Sequence, residues 1–189
     1  MKIKELMEDT TKKMPHLYLD MDGVQADFFG AWAAKHNVGN YKEIPDTETS
    51  INELATSSPE EVYKFFRELK PLQGGGKVVQ WLNQHNIPYS VLSAPLRGPY
   101  AKSSVEAKKD WLDEHNPGAT QNAIFTQHKH KYALNGSEPN VLVDDYGKYL
   151  NLWSNAGGIA VKHEDSNTQH TIKELEKIYE GGGKARRQK

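Results

Sequence analysis

The chain has 189 residues, with 24 Lys and Arg against 25 Asp and Glu, a formal net charge of −1, and no cysteine. Disulfides, thiolate catalysis and cysteine-ligated zinc are thereby excluded, and no overall basic field favours wrapping nucleic acid. The composition, 37% hydrophobic and 10% aromatic, is that of a globular chain long enough for one core and a small inserted module.

The first residues, MKIKELMEDTTKKM, mix both charge signs and lack an apolar stretch. The longest charge-free segment, between Lys77 and Arg97, is interrupted by Asn, Gln, His and Pro. Neither a secretion signal nor a membrane span is expected, so the cytoplasm is the default location.

Short apolar runs alternate with helical patterns along the chain. His16–Asp20, Pro88–Leu92, Ala123–Thr126, Val141–Asp144 and Gly158–Val161 read as strands. They are nearly continuously apolar, as strands of a parallel sheet covered on both faces are. Ser58-Pro59-Glu60-Glu61 forms a capping box before Val62, Phe65, Phe66 and Leu69, one apolar helical face. Gly74-Gly75-Gly76 separates this helix from one over Lys77–His85, and further helices are expected over Ser103–His115 and Lys148–Asn155. Ile172, Leu175 and Tyr179 mark a last helix before Gly181-Gly182-Gly183. The fold class is α/β: a Rossmann-like parallel sheet with helices on both faces.

About 65 residues separate the first strand from the second, far more than the dozen or so of an ordinary crossover. The domain reading is an α/β core over residues 1–27 and 73–180 and a small helical cap over 28–72, helical at both ends and Pro/Thr/Ser-rich between Pro45 and Ser58. The basic residues 181–189 form a frayed tail.

The chemistry-bearing residues cluster behind the strands. Asp20 and Asp22, followed by Gly23, end the first strand, where α/β proteins bind ligands. Carboxylates this close repel unless a cation or a shared proton compensates, and an all-oxygen site suits Mg²⁺. A turn or a calcium-loop fragment offers the same residues. Asp144 and Asp145 end the fourth strand, where a single acid would serve as a helix N-cap. Two strands that each deliver paired acids point instead to a shared metal. Ser93 and Ala94 follow the second strand, where a hydroxyl and backbone amides can bind phosphate oxygens. Lys129 and Lys131 follow the third strand and reach toward the same crevice, unless they belong to a solvated loop. His128 and His130 lack further ligands for a metal site. Phe28, Phe29 and Trp32 either line a pocket or pack in the cap, and Trp81, Trp111 and Trp153 lie on core-facing helical positions.

In this order and spacing the four signals resemble the haloacid dehalogenase (HAD) superfamily, whose phosphatases carry a DxD, a Ser or Thr, a Lys and an acidic pair. Within it the chain is most similar to the 5′(3′)-deoxyribonucleotidases, in DMDGVQADF (20–28), FRELKPLQGG (66–75), Leu92-Ser93-Ala94-Pro95, Lys108-Lys109-Asp110-Trp111, FTQHK (125–129) and VLVDD (141–145). It departs from that group where Gln25 replaces an apolar residue, where Ala94 lacks a hydroxyl, where Gln127-His128 lacks an Arg, and in a longer stretch between Lys129 and Asp144.

The resemblance implies Mg²⁺-dependent hydrolysis of a nucleoside monophosphate through an aspartyl-phosphate. Asp20 is the nucleophile and Asp22 the general acid and base. The metal is held by Asp20, the Asp22 carbonyl, and one or both of Asp144 and Asp145; Ser93, Ala94 and Lys129 or Lys131 bind phosphate oxygens. The alternatives are a polynucleotide 3′-phosphatase, for which the basic tail speaks, and a non-catalytic binder of a phosphorylated ligand. No membrane partner is expected, and self-association into a homodimer is left open.

Overall fold

β1 (Leu17–Leu19) is the middle strand of a five-stranded parallel sheet in the computed structural model, which describes residues 14–179. On one side it pairs with β2 (Tyr89–Ser93) and on the other with β6 (Val141–Asp144). The outer strands are β3 (Ile124–Phe125) beside β2 and β7 (Ile159–Lys162) beside β6. The chain first builds outward through β2 and β3, then returns to the far side of β1. The topological switch point therefore lies between β1 and β6, where such sheets open a crevice beyond their carboxyl edge.

Period-two alternation sends side chains to two covered faces. Leu17, Leu19, Val141 and Val143 pack with Val78 and Leu82 of α4 (Gln73–Gln84) and Leu175 of α7 (Thr168–Tyr179). Leu92 and Leu142 pack with Leu150 and Trp153 of α6 (Gly147–Asn155), and Tyr18 lies against that cluster. Coverage on both faces is why these strands read as unbroken apolar runs. Between Lys129 and β6 the longer stretch forms a small antiparallel hairpin, β4 (Leu134–Asn135) with β5 (Glu138–Pro139).

Three helices fill the long β1–β2 connection: α1 (Phe28–Lys35), α2 (Thr47–Ala55) and α3 (Pro59–Arg67). The capping box forms, with Ser58 Oγ accepting from the Glu61 N–H at 3.1 Å. Phe28, Trp32, Leu54, Val62 and Phe66 share one cluster with Ala107, Trp111 and Leu112 of α5 (Ala101–His115). Trp81, Trp111 and Trp153 are all buried. Among the described residues, no helix is long and apolar enough to cross a membrane. The segments 1–13 and 180–189, including the basic tail, lie outside the described residues.

Two expectations need correction. The insertion is helical not only at its ends: α2 forms in the Pro/Thr/Ser-rich stretch between Pro45 and Ser58 because Leu54 and Ala55 bury their side chains, and Ser50 Oγ accepts from Trp32 Nε1 at 3.1 Å. Gly74-Gly75-Gly76 does not separate two helices but forms the first turn of α4. The Gly74 N–H donates to Asp165 Oδ1 at 2.6 Å, a cap supplied from far along the chain. A Cβ on Gly75 would lie 2.0 Å from the Val24 carbonyl oxygen, whereas one on Gly76 would meet nothing within 4 Å.

The two glycines therefore respond oppositely to alanine. Gly75→Ala destabilises the fold by about 2 kcal/mol or more, by pushing α4 off the turn after β1. Gly76→Ala stabilises it by about 0.5–1 kcal/mol through helix propensity. Urea unfolding of both variants is the check, and equal effects would contradict the close approach at Gly75.

Candidate active site

β1 ends at Leu19, and the next N–H, that of Asp20, donates to the Val143 carbonyl at 2.9 Å. The chain then closes a tight turn in which the Gln25 and Ala26 N–H groups both donate to the Met21 carbonyl, at 2.7 and 2.9 Å. Gly23 sits in this turn with φ +76°, and a Cβ there would lie 2.4 Å from Asp145 Oδ2. Glycine thus meets two demands at once, a left-handed backbone and room for the neighbouring carboxylate. β6 brings Asp144 and Asp145 alongside. Asp20, Asp144 and Asp145 each offer an oxygen within 4.8 Å of the others, the one such cluster found among the described residues.

Two buried lysines enter this acidic crevice. Lys129 opens a 3₁₀ turn (Lys129–Tyr132) after β3, and its Nζ lies 2.8 Å from Asp20 Oδ1 and 2.7 Å from Asp144 Oδ2. Lys108 projects from α5, donating to Asp22 Oδ2 at 2.6 Å, Ser93 Oγ at 3.0 Å and the Ala94 carbonyl at 2.6 Å. Each ammonium also stands over an aromatic ring, Lys129 over Tyr149 at 4.5 Å and Lys108 over Phe66 at 4.9 Å. Ser93 is fully buried. Because its oxygen accepts from Lys108, its own hydrogen is left to donate elsewhere.

The charges do not balance. Among the described residues, Lys108 and Lys129 are the buried cations paired with Asp20, Asp22 and Asp144, so full ionisation of these acids and Asp145 exceeds the two ammonium groups by two negative charges. Burial raises the pKa of Asp145 to about 8, with Asp20 and Asp144 adding to the effect. Burial and Asp20 also push Asp144 upward, against the pull of Lys129. Burial raises Asp22 as well, with Lys108 opposing it. Burial works against the charge on Lys129, yet Asp20 and Asp144 outweigh it and hold its pKa above the ordinary lysine value. Asp22 Oδ1 is buried and finds no hydrogen-bond partner. A cluster of carboxylate oxygens with a deficit of two positive charges fits a hard divalent cation such as Mg²⁺.

The two acids of β6 are not equivalent. Both oxygens of Asp144 are engaged, Oδ1 by the Tyr146 N–H at 2.8 Å and Oδ2 by Lys129. Asp145 lies over Gly23 instead.

The sequence candidates therefore divide. Asp20, Asp22, Ser93, Ala94, Lys129, Asp144 and Asp145 come together at the carboxyl edge of the sheet. Lys131 does not: it is exposed and lines a cleft with His16, Pro88 and Asn140, residues that precede β1, β2 and β6 at the opposite edge. Two steps along a 3₁₀ turn of three residues carry a side chain well away from the direction of the first. Phe28 and Trp32 are buried in the helical cluster and Phe29 packs partly buried against it, so packing accounts for these aromatics. His128 and His130 stack edge to face at 6.0 Å, outside the acidic cluster.

Lys108 and Gln25 are the residues whose part the sequence reasoning missed. Lys108 had a visible signal: it sits on the buried stripe of α5 with Ser104, Ala107, Trp111 and Leu112, where a charge requires a partner. Gln25, beside the acids, is 4% exposed and turns its amide back onto the Asp20 carbonyl.

Comparison with known proteins agrees with this geometry. Residues 13–178 match the family model described as 5′ nucleotidase, deoxy (pyrimidine), cytosolic type C protein. A protein of Vibrio phage KVP40, provisionally named a 5′(3′)-deoxyribonucleotidase, is 26% identical over 122 residues, which are 61% of this chain and 59% of the relative. The chain thus spans less than two thirds of that relative's length. Among solved structures, a HAD hydrolase of family IA from Entamoeba histolytica aligns with a TM-score of 0.44 and 13% identity over 88% of this chain and 90% of its own. A HAD family hydrolase from Deinococcus radiodurans, solved with phosphate and sodium, aligns at 0.46 and 10% identity over 78% and 79%. With nearly its whole described length matched by the family model, and with the acid pairs, serine and lysine brought to one strand edge, the chain belongs to the cytosolic type C 5′-nucleotidase family.

Proposed function

We propose that the protein is a Mg²⁺-dependent phosphatase that hydrolyses nucleoside monophosphates, deoxy forms included, through an aspartyl-phosphate. The observation that carries this reading is the meeting of Asp20, Asp22, Ser93, Lys108, Lys129 and Asp145 at the switch point of the sheet in a chain of this family.

Asp20 is the nucleophile. A carboxylate needs no base to activate it, and Lys129 fixes the orientation of its Oδ1. Asp22 is the general acid: burial favours its protonated form, so it can pass a proton to the leaving alkoxide oxygen. It then accepts a proton from the water that cleaves the acyl phosphate. Lys108 anchors one oxygen of Asp22 and so presents the other to the reacting group. Ser93 and the backbone after β2 receive the phosphoryl oxygens, and Lys129 offsets their charge. Asp20, the Asp22 carbonyl and Asp145 would hold the metal, with Asp144 behind them as the anchor of Lys129. Bound there, Mg²⁺ offsets the charge of the nucleophile and of the phosphoryl group. The helices of residues 28–72 serve as a cap that covers the nucleoside. We place the enzyme in the cytoplasm, with the mononucleotide pool.

Phosphate release from a panel of 5′- and 3′-mononucleotides and a 3′-phosphorylated oligonucleotide, with Mg²⁺ or with EDTA, tests the assignment. EDTA-sensitive release from mononucleotides is expected, and Asp20→Asn lowers it by roughly 10⁴-fold or more while leaving the fold intact. Release confined to the oligonucleotide moves the substrate to nucleic-acid ends, and tight ligand binding without turnover makes the protein a binder.

The metal site has its own pH signature. Asp145 has a folded pKa of about 8, against roughly 3.9 in an unfolded chain. Its contribution to stability is therefore complete below about pH 4 and is lost as pH rises through about 8. A divalent ion needs the ionised form, so its stabilising effect grows over the same interval. Thermal unfolding with Mg²⁺ and with EDTA should show a larger Mg²⁺-dependent rise in Tm at about pH 8 than at about pH 5. An equal rise at both would mean that ionisation of Asp145 does not control binding of the ion.

A further inference from the structure

Asp20 lies one residue beyond the last paired position of β1, whose register with β2 and β6 covers Leu17 to Leu19. Its N–H is taken by the Val143 carbonyl at 2.9 Å. Its own carbonyl is taken by a side chain: Gln25 Nε2 donates to it at 2.9 Å. Gln25 Oε1 in turn accepts from Asn116 Nδ2 at 2.8 Å, and Asn116 Oδ1 accepts from the Tyr89 hydroxyl at 2.9 Å. Gln25 and Asn116 are 4% and 8% exposed, so the chain of bonds runs through the interior from the end of β1 to the end of α5 and the start of β2.

The polarity of this chain is fixed by chemistry. A carbonyl only accepts, so Gln25 must turn its NH₂ toward Asp20 and its oxygen toward Asn116. Asn116 must then present its own NH₂ to Gln25 and its oxygen to Tyr89, whose hydroxyl donates. Neither amide can flip without placing two like groups against each other. The two peptides that flank the Asp20 side chain are therefore both clamped, the preceding one by a strand and the following one by a directed relay. The helix that supplies Asn116 also supplies Lys108, the anchor of Asp22.

We propose that Gln25 and Asn116 are positioning residues: they hold the Asp20 peptide, and through it the carboxylate, in place against Ser93, Lys129 and Asp145. The inference rests on Asp20 acting as the nucleophile and metal ligand proposed above. Misplacing a reacting group by a fraction of an ångström to an ångström lowers turnover far more than it lowers binding.

The test compares Gln25→Leu with the double variant Gln25→Leu/Asn116→Leu, reading kcat, KM, Tm and the Kd for Mg²⁺ by titration calorimetry. Gln25→Leu should lower kcat by about 10- to 100-fold with KM within about threefold. It should also lower Tm, because the Asn116 amide is orphaned. The double variant removes that orphan, although the Asp20 carbonyl and the half-buried Tyr89 hydroxyl stay without their partners, so Tm recovers in part while kcat and the weakened Mg²⁺ affinity do not. A merely structural network predicts the reverse: kcat per folded molecule unchanged in the single variant, or restored with Tm in the double one. Either result overturns the proposal. If the wild-type protein binds Mg²⁺ but releases no phosphate from mononucleotides, the functional reading fails alone and Mg²⁺ affinity across the two variants still decides the inference. If the wild type neither binds Mg²⁺ nor turns over, both fall.

Discussion

The meeting of four carboxylates and two ammonium groups at one edge of a parallel sheet sets the terms for the rest of this molecule. A buried lysine is tolerated only when opposite charge and hydrogen bonds replace the water it loses, and breaking such a pair costs roughly 3–5 kcal/mol. Each lysine here meets that condition by joining two chain segments. Lys129 bridges Asp20 after β1 and Asp144 at the end of β6. Lys108 bridges Asp22 and the end of β2 at Ser93 and Ala94. The ion pairs thus tie together three neighbouring strand ends that backbone pairing alone leaves loose. The same contacts assemble the candidate catalytic groups, so site and scaffold cannot be varied independently. The remaining excess of negative charge is the physical reason for proposing a divalent ion at this place.

Backbone geometry makes that arrangement possible. The turn after β1 is wedged between Asp145, which occupies the space a Cβ on Gly23 would need, and the first turn of α4, where Gly75 touches the Val24 carbonyl. The Leu72 N–H donates to the Gln25 carbonyl at 2.8 Å, and the Asp27 N–H to the Lys70 carbonyl at 2.8 Å. The chain therefore leaves the sheet and returns to it at the same spot. An insertion of three helices can hang from such a closed neck without disturbing the acids, and its apolar faces find cover against α5.

Period and terminus signals made most of the sheet legible in the sequence. All five apolar runs are strands, because a sheet buried on both faces writes itself as contiguous Val, Ile and Leu. The acids and Ser93 were legible for a related reason: polar residues directly after such a run have only the crevice to face. What escaped was set by contacts between distant segments. Nothing local in Gly74-Gly75-Gly76 shows that Asp165 caps the helix or that a carbonyl presses on Gly75. Lys129 and Lys131 are equally basic and nearly adjacent, and only the 3₁₀ turn separates them. Lys108 sits in a helix whose surface is rich in charge, so its burial becomes apparent only once Ala107, Trp111 and Leu112 are known to face inward.

Gln25 carries the argument one step further. The turn it belongs to already satisfies its backbone groups, and a side chain of similar size without an amide would fill the same volume. What the amide adds is a partner for the Asp20 carbonyl, which lies just past the paired register of β1. The proposed nucleophile, Asp20, stands just past the end of its strand, at the crevice, and so the backbone that carries it loses the ladder that would have held it. In this chain a polar relay from α5 and β2 replaces the missing rung. The cost of placing two amides in an apolar interior is met only because each finds a partner of the right polarity. That requirement links the identities of residues 25, 89 and 116, which lie on three separate elements and have no reason in local structure to depend on one another.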